Sequence, residues 1–315
     1  MGAVRPGSNL PGRERLMFYL AARYLREAGW TEWDIIQVKP GIWLIFPPRQ
    51  DTPAIVGKFS SLPERRAAAR SECAALKTLA SCAGQLSIPR LLFERETTQG
   101  FLHLQSALPG RPLRDELLPS DDARVATQIE IAERWLEKFR LVPSRGDLGT
   151  ALREILPLAA GKLPQALLDA AAADLPLLSA TPAVAVHGDF WGHNVLVDRG
   201  RISVVDWEAF HYGAPLEDFF TFALGTVFQQ LQDRERCAEL IRNVFLGSSP
   251  LSTRIWAGAA RILAREGISQ DLLRTMFLMY LINRTVRVHF ADTAALCAFA
   301  RHYVDMGMPA PGGIY

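Results

Sequence analysis

Residues 184 to 208, VAVHGDFWGHNVLVDRGRISVVDWE, constrain this chain more than any other stretch. VLVD and ISVVD are short apolar runs on either side of Arg199-Gly200, and two such runs around a Gly-containing turn read as a β-hairpin. His187, Asp189 and Asn194 stand just before it in an HxDxxxxN spacing, and Asp206 ends its second strand. A hairpin folds back on itself, so Asp189, Asn194 and Asp206 are expected at one end of it. The bland alternative is a polar loop between strands. HxDxxxxN alone arises by chance in roughly one chain in a hundred, and the strand-turn-strand frame with its terminal Asp lowers that further.

These residue types suit phosphoryl transfer. A phosphoryl group leaving ATP spreads negative charge over its oxygens, so a protein must set magnesium against them with hard oxygen ligands and orient an acceptor hydroxyl. Asp206 and Asn194 are the expected Mg2+ ligands. Asp189 is placed to accept the hydroxyl proton, and His187 braces the loop through hydrogen bonds in preference to joining the chemistry.

HGDFWGHNVLV followed by VVDWEAFHYGAPLEDF resembles the aminoglycoside phosphotransferase and choline kinase-like superfamily, whose members carry an HGDxxxxN loop and a following DWE or DxE. The resemblance implies an α+β, two-lobed protein-kinase-like fold with a small β-rich N-lobe and a larger, mainly helical C-lobe. It implies an enzyme that moves the γ-phosphate of ATP or GTP to a hydroxyl of a sugar, amino sugar, amino alcohol or aminoglycoside-like compound. The fold carries many substrates, so the reaction is better supported than the acceptor. It also gives Asp218, at the start of the next helix, the role of tying down the catalytic loop.

A kinase-like site needs a strand lysine and a helix glutamate from the first half of the chain, and both are present. TPAIVGKFS reads as a strand carrying Lys58, and residues 63 to 80 read as a helix opened by Pro63 with Glu72 near its middle. The chain has five lysines against thirty arginines, so a lysine inside an apolar strand suggests a compact charge that a planar guanidinium could not replace. Glu64 is a less central competitor for Glu72. FLHLQSALPGRPL, residues 101 to 113, ends a strand in Pro109-Gly110. In the superfamily this strand exit lends backbone groups to the purine, which points to Gln105, Ser106 and Ala107.

The phosphate-covering hairpin departs from the kinase pattern. IIQVKPGIWLIF, residues 35 to 46, offers Gly41 alone where protein kinases use several glycines, and Lys39 either reaches a phosphate or is an ordinary turn residue. After Asp206 the chain reaches PLEDFFTFALG within about ten residues, which leaves no room for a long activation segment and argues against a protein kinase. The remaining alternative is a non-catalytic kinase-fold module that binds a nucleotide or a partner. Keeping Lys58, Asp189, Asn194 and Asp206 together disfavours it.

Composition sets the outer limits. A chain of 315 residues, 49% apolar, is ample for a two-lobe unit, and a formal net charge of +2 gives no electrostatic case for nucleic acid. LMFYL and MFLMYLI are too short to span a membrane. MGAVRPGSNLPGRER lacks an apolar signal stretch and reads as a flexible arm, with Pro6 where a myristoylation signal has Ser or Thr. Four cysteines without a CxxC pair point to a reducing cytoplasm, and six histidines show no metal spacing. The expected divisions are residues 1–29 as arm and helix, 30–112 as nucleotide-binding N-lobe, and 113–315 as C-lobe.

Helices are expected at about residues 12 to 29, at 120 to 140 with Ser120 as N-cap, across 150 to 180, and at 216 to 247, 251 to 266 and 270 to 305. The acceptor side is the least legible. From residue 209 onward the chain has nine acids and ten arginines and no lysine, which is not the acidic basin a polycationic aminoglycoside favours. Trp191 and His193 either border the acceptor or pack the loop. Glu217 either faces the acceptor or is a solvated carboxylate at a helix start.

Overall fold

A computed structural model of the chain describes residues 12–113, 122–228, 237–247, 249–287 and 293–308, so the arm before residue 12 and the Ser120 N-cap lie outside the described residues. The chain divides into two compact units, Met1–Arg111 with Leu196–Ala209, and Pro112–Val195 with Phe210–Tyr315. The segment carrying Asp206 therefore groups with the β-rich first unit although it comes late in the sequence.

In the first unit, α1 (Gly12–Glu27) precedes β1 (Asp34–Lys39), β2 (Ile42–Phe46), β3 (Ile55–Ser60), α2 (Pro63–Thr78), α3 (Ala83–Leu86), β4 (Leu91–Thr97) and β5 (Gly100–Ser106). The five strands form an antiparallel sheet in the order β1-β2-β3-β5-β4. Its two faces follow from alternation along each strand. Trp43 and Ile45 of β2 and Leu102 and Leu104 of β5 are buried with Ala21 and Leu25 of α1. Each buried Leu or Ile of this set contributes about 1.5–3 kcal/mol by leaving water. Phe101 points the other way and packs with Ala69 and Cys73 of α2. The same alternation puts His103 on the α2 side, directly across the ladder from Lys58.

Gly41 turns the chain between β1 and β2 at φ +79°, and its carbonyl accepts from Phe59 N at 2.8 Å. A Cβ there would stand 2.5 Å from the Phe59 carbonyl oxygen. The glycine is thus required by the close approach of this turn to β3. Lys39, beside it, is exposed.

After β6 (Arg111–Pro112), the second unit runs through α4 (Asp122–Phe139), α5 (Leu148–Ala159), α6 (Gln165–Ala173), α7 (Leu175–Leu178) and β7 (Val184–Val186). The hairpin of β8 (Val195–Asp198) and β9 (Arg201–Val204) follows. It turns at Arg199 and Gly200 with φ of 48° and 78°, the left-handed pair that suits a two-residue hairpin loop. The chain then continues through β10 (His211–Gly213), α8 (Glu217–Phe228), α9 (Cys237–Phe245), α10 (Pro250–Arg265), α11 (Leu273–Arg287) and α12 (Thr293–Asp305). β10 pairs antiparallel with β7, whose three residues are all buried. Phe220 meets Phe245, Trp256, Phe277 and Tyr280 edge-on or tilted at the centre of the helices. No described helix is long and apolar enough to cross a membrane.

Candidate active site

In the first unit, Lys58 sits in β3 with its ammonium at 2.7 Å and 2.8 Å from the two carboxylate oxygens of Glu72 and 3.0 Å from Asp206 Oδ1. The lysine and glutamate side chains are 17% and 2% exposed, whereas that of Asp206 is 42% exposed and reachable from solvent. Burial works to lower the Lys58 pKa, but attraction to Glu72 and then Asp206 overrides it and holds the ammonium above its ordinary value. Burial likewise pushes Glu72 up, and the Lys58 charge outweighs it, keeping the carboxylate well below its usual range.

The second neighbour of Glu72 is His103, wholly buried, with Nε2 3.2 Å from Oε2 but off the line of a hydrogen bond. Sequence reasoning passed over it. Its signal was there: a polar residue inside the apolar run FLHLQ, at the register opposite Lys58.

Asp206 reaches Lys58 because the chain turns left-handed there, at φ +69°, a conformation Asp tolerates better than most residues. The next residue, Trp207, is fully buried and donates Nε1–H to the Val204 carbonyl at 3.1 Å, anchoring the turn. Gln105 is 2% exposed, and its Oε1 has no hydrogen-bond partner among the described residues. The Ala107 N–H is already donated to the Ala54 carbonyl at 2.8 Å.

In the second unit, β7 ends directly in the HGDFWGHN loop. Asp218, in the first turn of α8, accepts the N–H groups of His187 at 2.7 Å and of Gly188 at 2.9 Å. Burial raises the Asp218 pKa, against the pull of His187 and of these backbone donors. His187 is fully buried, and its Nδ1 accepts the Asp189 N–H at 3.2 Å, which is a bracing position. Phe190 is fully buried, stacked 4.9 Å from Trp135 of α4. With Phe190 fixed inward, Asp189 stays partly accessible, at 24% of its side chain.

Asn194 Nδ2 donates to the Asp189 backbone carbonyl at 2.9 Å and to its carboxylate Oδ2 at 3.0 Å. Arg284 of α11, which no sequence pattern marked, donates to the Gly188 carbonyl at 3.3 Å and to Asp189 Oδ1 at 3.4 Å. Trp191 packs on α8 where a Cβ on Gly225 would come within 2.9 Å of its own, and its ring meets that of His193 edge-on at 4.6 Å. Glu217 is buried. Its Oε1 accepts from Ala214 N at 2.6 Å and Asn283 Nδ2 at 2.9 Å, and Oε2 lies 3.0 Å from His211 Nε2.

Asn194 and Asp206 suit magnesium by their chemistry. With Nδ2 committed to Asp189, Asn194 retains a carbonyl oxygen, and Asp206 retains Oδ2 with no protein partner among the described residues. Both are hard oxygens. No group of three or more His, Cys, Asp or Glu among the described residues could cage a metal. Magnesium at phosphates needs no such cage, since one or two protein ligands plus phosphate and water oxygens complete its shell.

Residues 49–243 match the model of the APH phosphotransferase enzyme family. A search of curated proteins by sequence finds no match. Among solved structures, a thermostable mutant of aminoglycoside phosphotransferase APH(4)-Ia, in ternary complex with ADP and hygromycin B, is 16% identical. It aligns over 92% of this chain and 99% of that one with a TM-score of 0.55. Choline kinase from Cryptosporidium parvum Iowa II is 12% identical over 92% and 97%, with a TM-score of 0.52. Amicoumacin kinase hAmiN, in complex with AMP-PNP, Ca2+ and Ami, is 14% identical over 95% and 97%, with a TM-score of 0.51. At such identities the likeness is one of fold, an α+β kinase-like one. The family match spans more than half of the chain and takes in Lys58, Glu72, Asp189, Asn194, Asp206 and Asp218: the chain belongs to the APH phosphotransferase enzyme family.

Proposed function

We propose that this protein transfers the γ-phosphate of ATP or GTP to a hydroxyl of a small molecule: a sugar, amino sugar, amino alcohol or aminoglycoside-like compound. The observation that carries the reading is the Lys58 ammonium bonded at once to Glu72 and Asp206. A lysine held by two carboxylates is fixed in place and permanently charged, as a phosphate-aligning group must be. Glu72 positions it, and Asp218 and His187 hold the loop that carries Asp189.

Asp189 orients the acceptor hydroxyl and takes its proton as the oxygen attacks phosphorus. Asn194 and Asp206 would hold Mg2+, which neutralises charge on the phosphate oxygens when bound. For the purine, Gln105 and the backbone about Ala107 remain the proposed contacts. With the Ala107 N–H spent on Ala54, a donor to the base would come from Leu108, whose N–H has no protein partner among the described residues. Trp191 and His193 are proposed to border the acceptor. Glu217, with both oxygens committed, acts through the packing of α8, β10 and α11. We place the protein in the cytoplasm, where Cys73, Cys82 and Cys297, not joined in disulfides, stay reduced.

The test is a magnesium-dependent nucleotide-consumption screen across metabolites and antibiotics. Phosphate recovered on a small-molecule hydroxyl is the expected result. Nucleotide binding without turnover across the panel, or phosphate transferred to polypeptide, would contradict the proposal.

A further inference from the structure

The two oxygens of the Asp189 carboxylate have different holders. Oδ2 accepts from Asn194, a residue of the same loop, at 3.0 Å. Oδ1 faces Arg284 Nη1 at 3.4 Å, from α11. The same nitrogen lies 3.3 Å from the Gly188 carbonyl oxygen. The Gly188 turn, at φ +83°, is therefore gripped from both sides, with Asp218 on its N–H and Arg284 on its C=O.

Two ordinary roles for Arg284 fit this geometry poorly. Arginines at a helix C-terminus offset the helix dipole, but Arg287 already stands exposed in the last turn of α11, while the Arg284 side chain is 13% exposed and turned onto the loop. A guanidinium bridge is strongest with both arms on one carboxylate, as Arg261 has with Glu133 at 3.1 Å and 2.7 Å. Arg284 Nη1 is shared between a backbone carbonyl and one carboxylate oxygen of the same loop. That is the geometry of a tether.

The torsion that turns an Asp carboxylate about its Cβ–Cγ bond is broad and soft. A single hydrogen bond from Asn194 leaves the carboxylate plane free to rock about it, whereas a second donor on the other oxygen fixes the plane. We propose that Arg284 is a positioning residue for phosphoryl transfer, setting the Asp189 carboxylate plane and the Gly188 turn beneath it. The inference rests on the reading of Asp189 as the acceptor-orienting group. A guanidinium suits the task because it keeps its charge at every working pH and its donors lie in a rigid plane.

The experiment compares the wild type with Arg284→Met and Arg284→Lys in the full-length protein. Mg·ATP turnover is measured on whichever of hygromycin B, choline and glucosamine the wild type phosphorylates fastest, alongside ATP affinity by calorimetry and the unfolding midpoint. Arg284→Met should lower kcat by about ten- to a hundredfold, the scale of a misaligned reacting group. ATP affinity and unfolding midpoint should change little, and Arg284→Lys should recover part of the loss. Full kcat in Arg284→Met would overturn the inference, as would a loss matched by weaker ATP binding or by unfolding. A wild type that binds Mg·ATP yet phosphorylates none of the three, nor any acceptor of the wider screen, would overturn the proposed function first and this inference with it.

Discussion

Lys58 and Glu72 form a two-pronged ion pair, with the ammonium within 2.8 Å of both carboxylate oxygens and almost no water at the glutamate. A lysine desolvated in this way would lose its charge without its partners. Removing one partner should therefore cost more than the pair contributes.

The first prediction separates the two members. Lys58→Met should abolish detectable turnover, because the phosphates lose their aligning charge. Glu72→Ala should reduce turnover less, since it acts through Lys58 alone, and should destabilise the fold by about 3 kcal/mol by leaving a buried charge with Asp206 only. Urea unfolding and steady-state rates on the two variants check both halves. Equal loss of turnover in the two would remove the distinction between aligning and positioning.

The second concerns pH. The folded-state pKa of Glu72 is depressed, so its contribution to stability is complete above its unfolded value and is lost as pH falls through the folded one. The raised Lys58 value puts the matching loss on the alkaline side beyond ordinary working pH. Stability of the wild type should thus fall as pH drops below the ordinary carboxylate value of 4.5, and Glu72→Gln should flatten that limb. Parallel acid limbs in the two proteins would show that the pair does not supply this dependence.

Which parts of the site were legible in the sequence follows from how each residue is specified. Lys58, Asp189, Asn194 and Asp206 stand out as candidates because a rare lysine in an apolar strand, or a fixed spacing before a hairpin, is local information. The turn between the two strands was legible for the same reason, since the left-handed angle at its second residue suits Gly200. Arg284 was not, because its partner is 95 residues away and an arginine near a helix end has an ordinary explanation. Glu217 could be read only as a first-turn carboxylate, and its burial depends on His211 and Asn283 arriving from β10 and α11.

Gly41 is the clearest case of one letter with two readings. The sequence offered it as the sole glycine of a phosphate-covering turn; the structure shows the turn pressed on the Phe59 backbone. The third prediction is that Gly41→Ala destabilises the protein by about 1–3 kcal/mol, combining left-handed strain with the clash against Phe59. A thermal midpoint unchanged from the wild type would mean that the turn relaxes freely.

The fourth prediction bears on the central claim, that HGDFWGHN works as a catalytic loop through Asp189. Asp189→Asn keeps the shape and removes the charge, and the expected loss is roughly a hundred- to ten-thousandfold, the range for a positioned general base. The measurement is kcat of this variant on an identified acceptor, with Mg·ATP affinity determined in parallel. The account predicts that transfer collapses while nucleotide affinity holds, and near-full kcat in Asp189→Asn would contradict it.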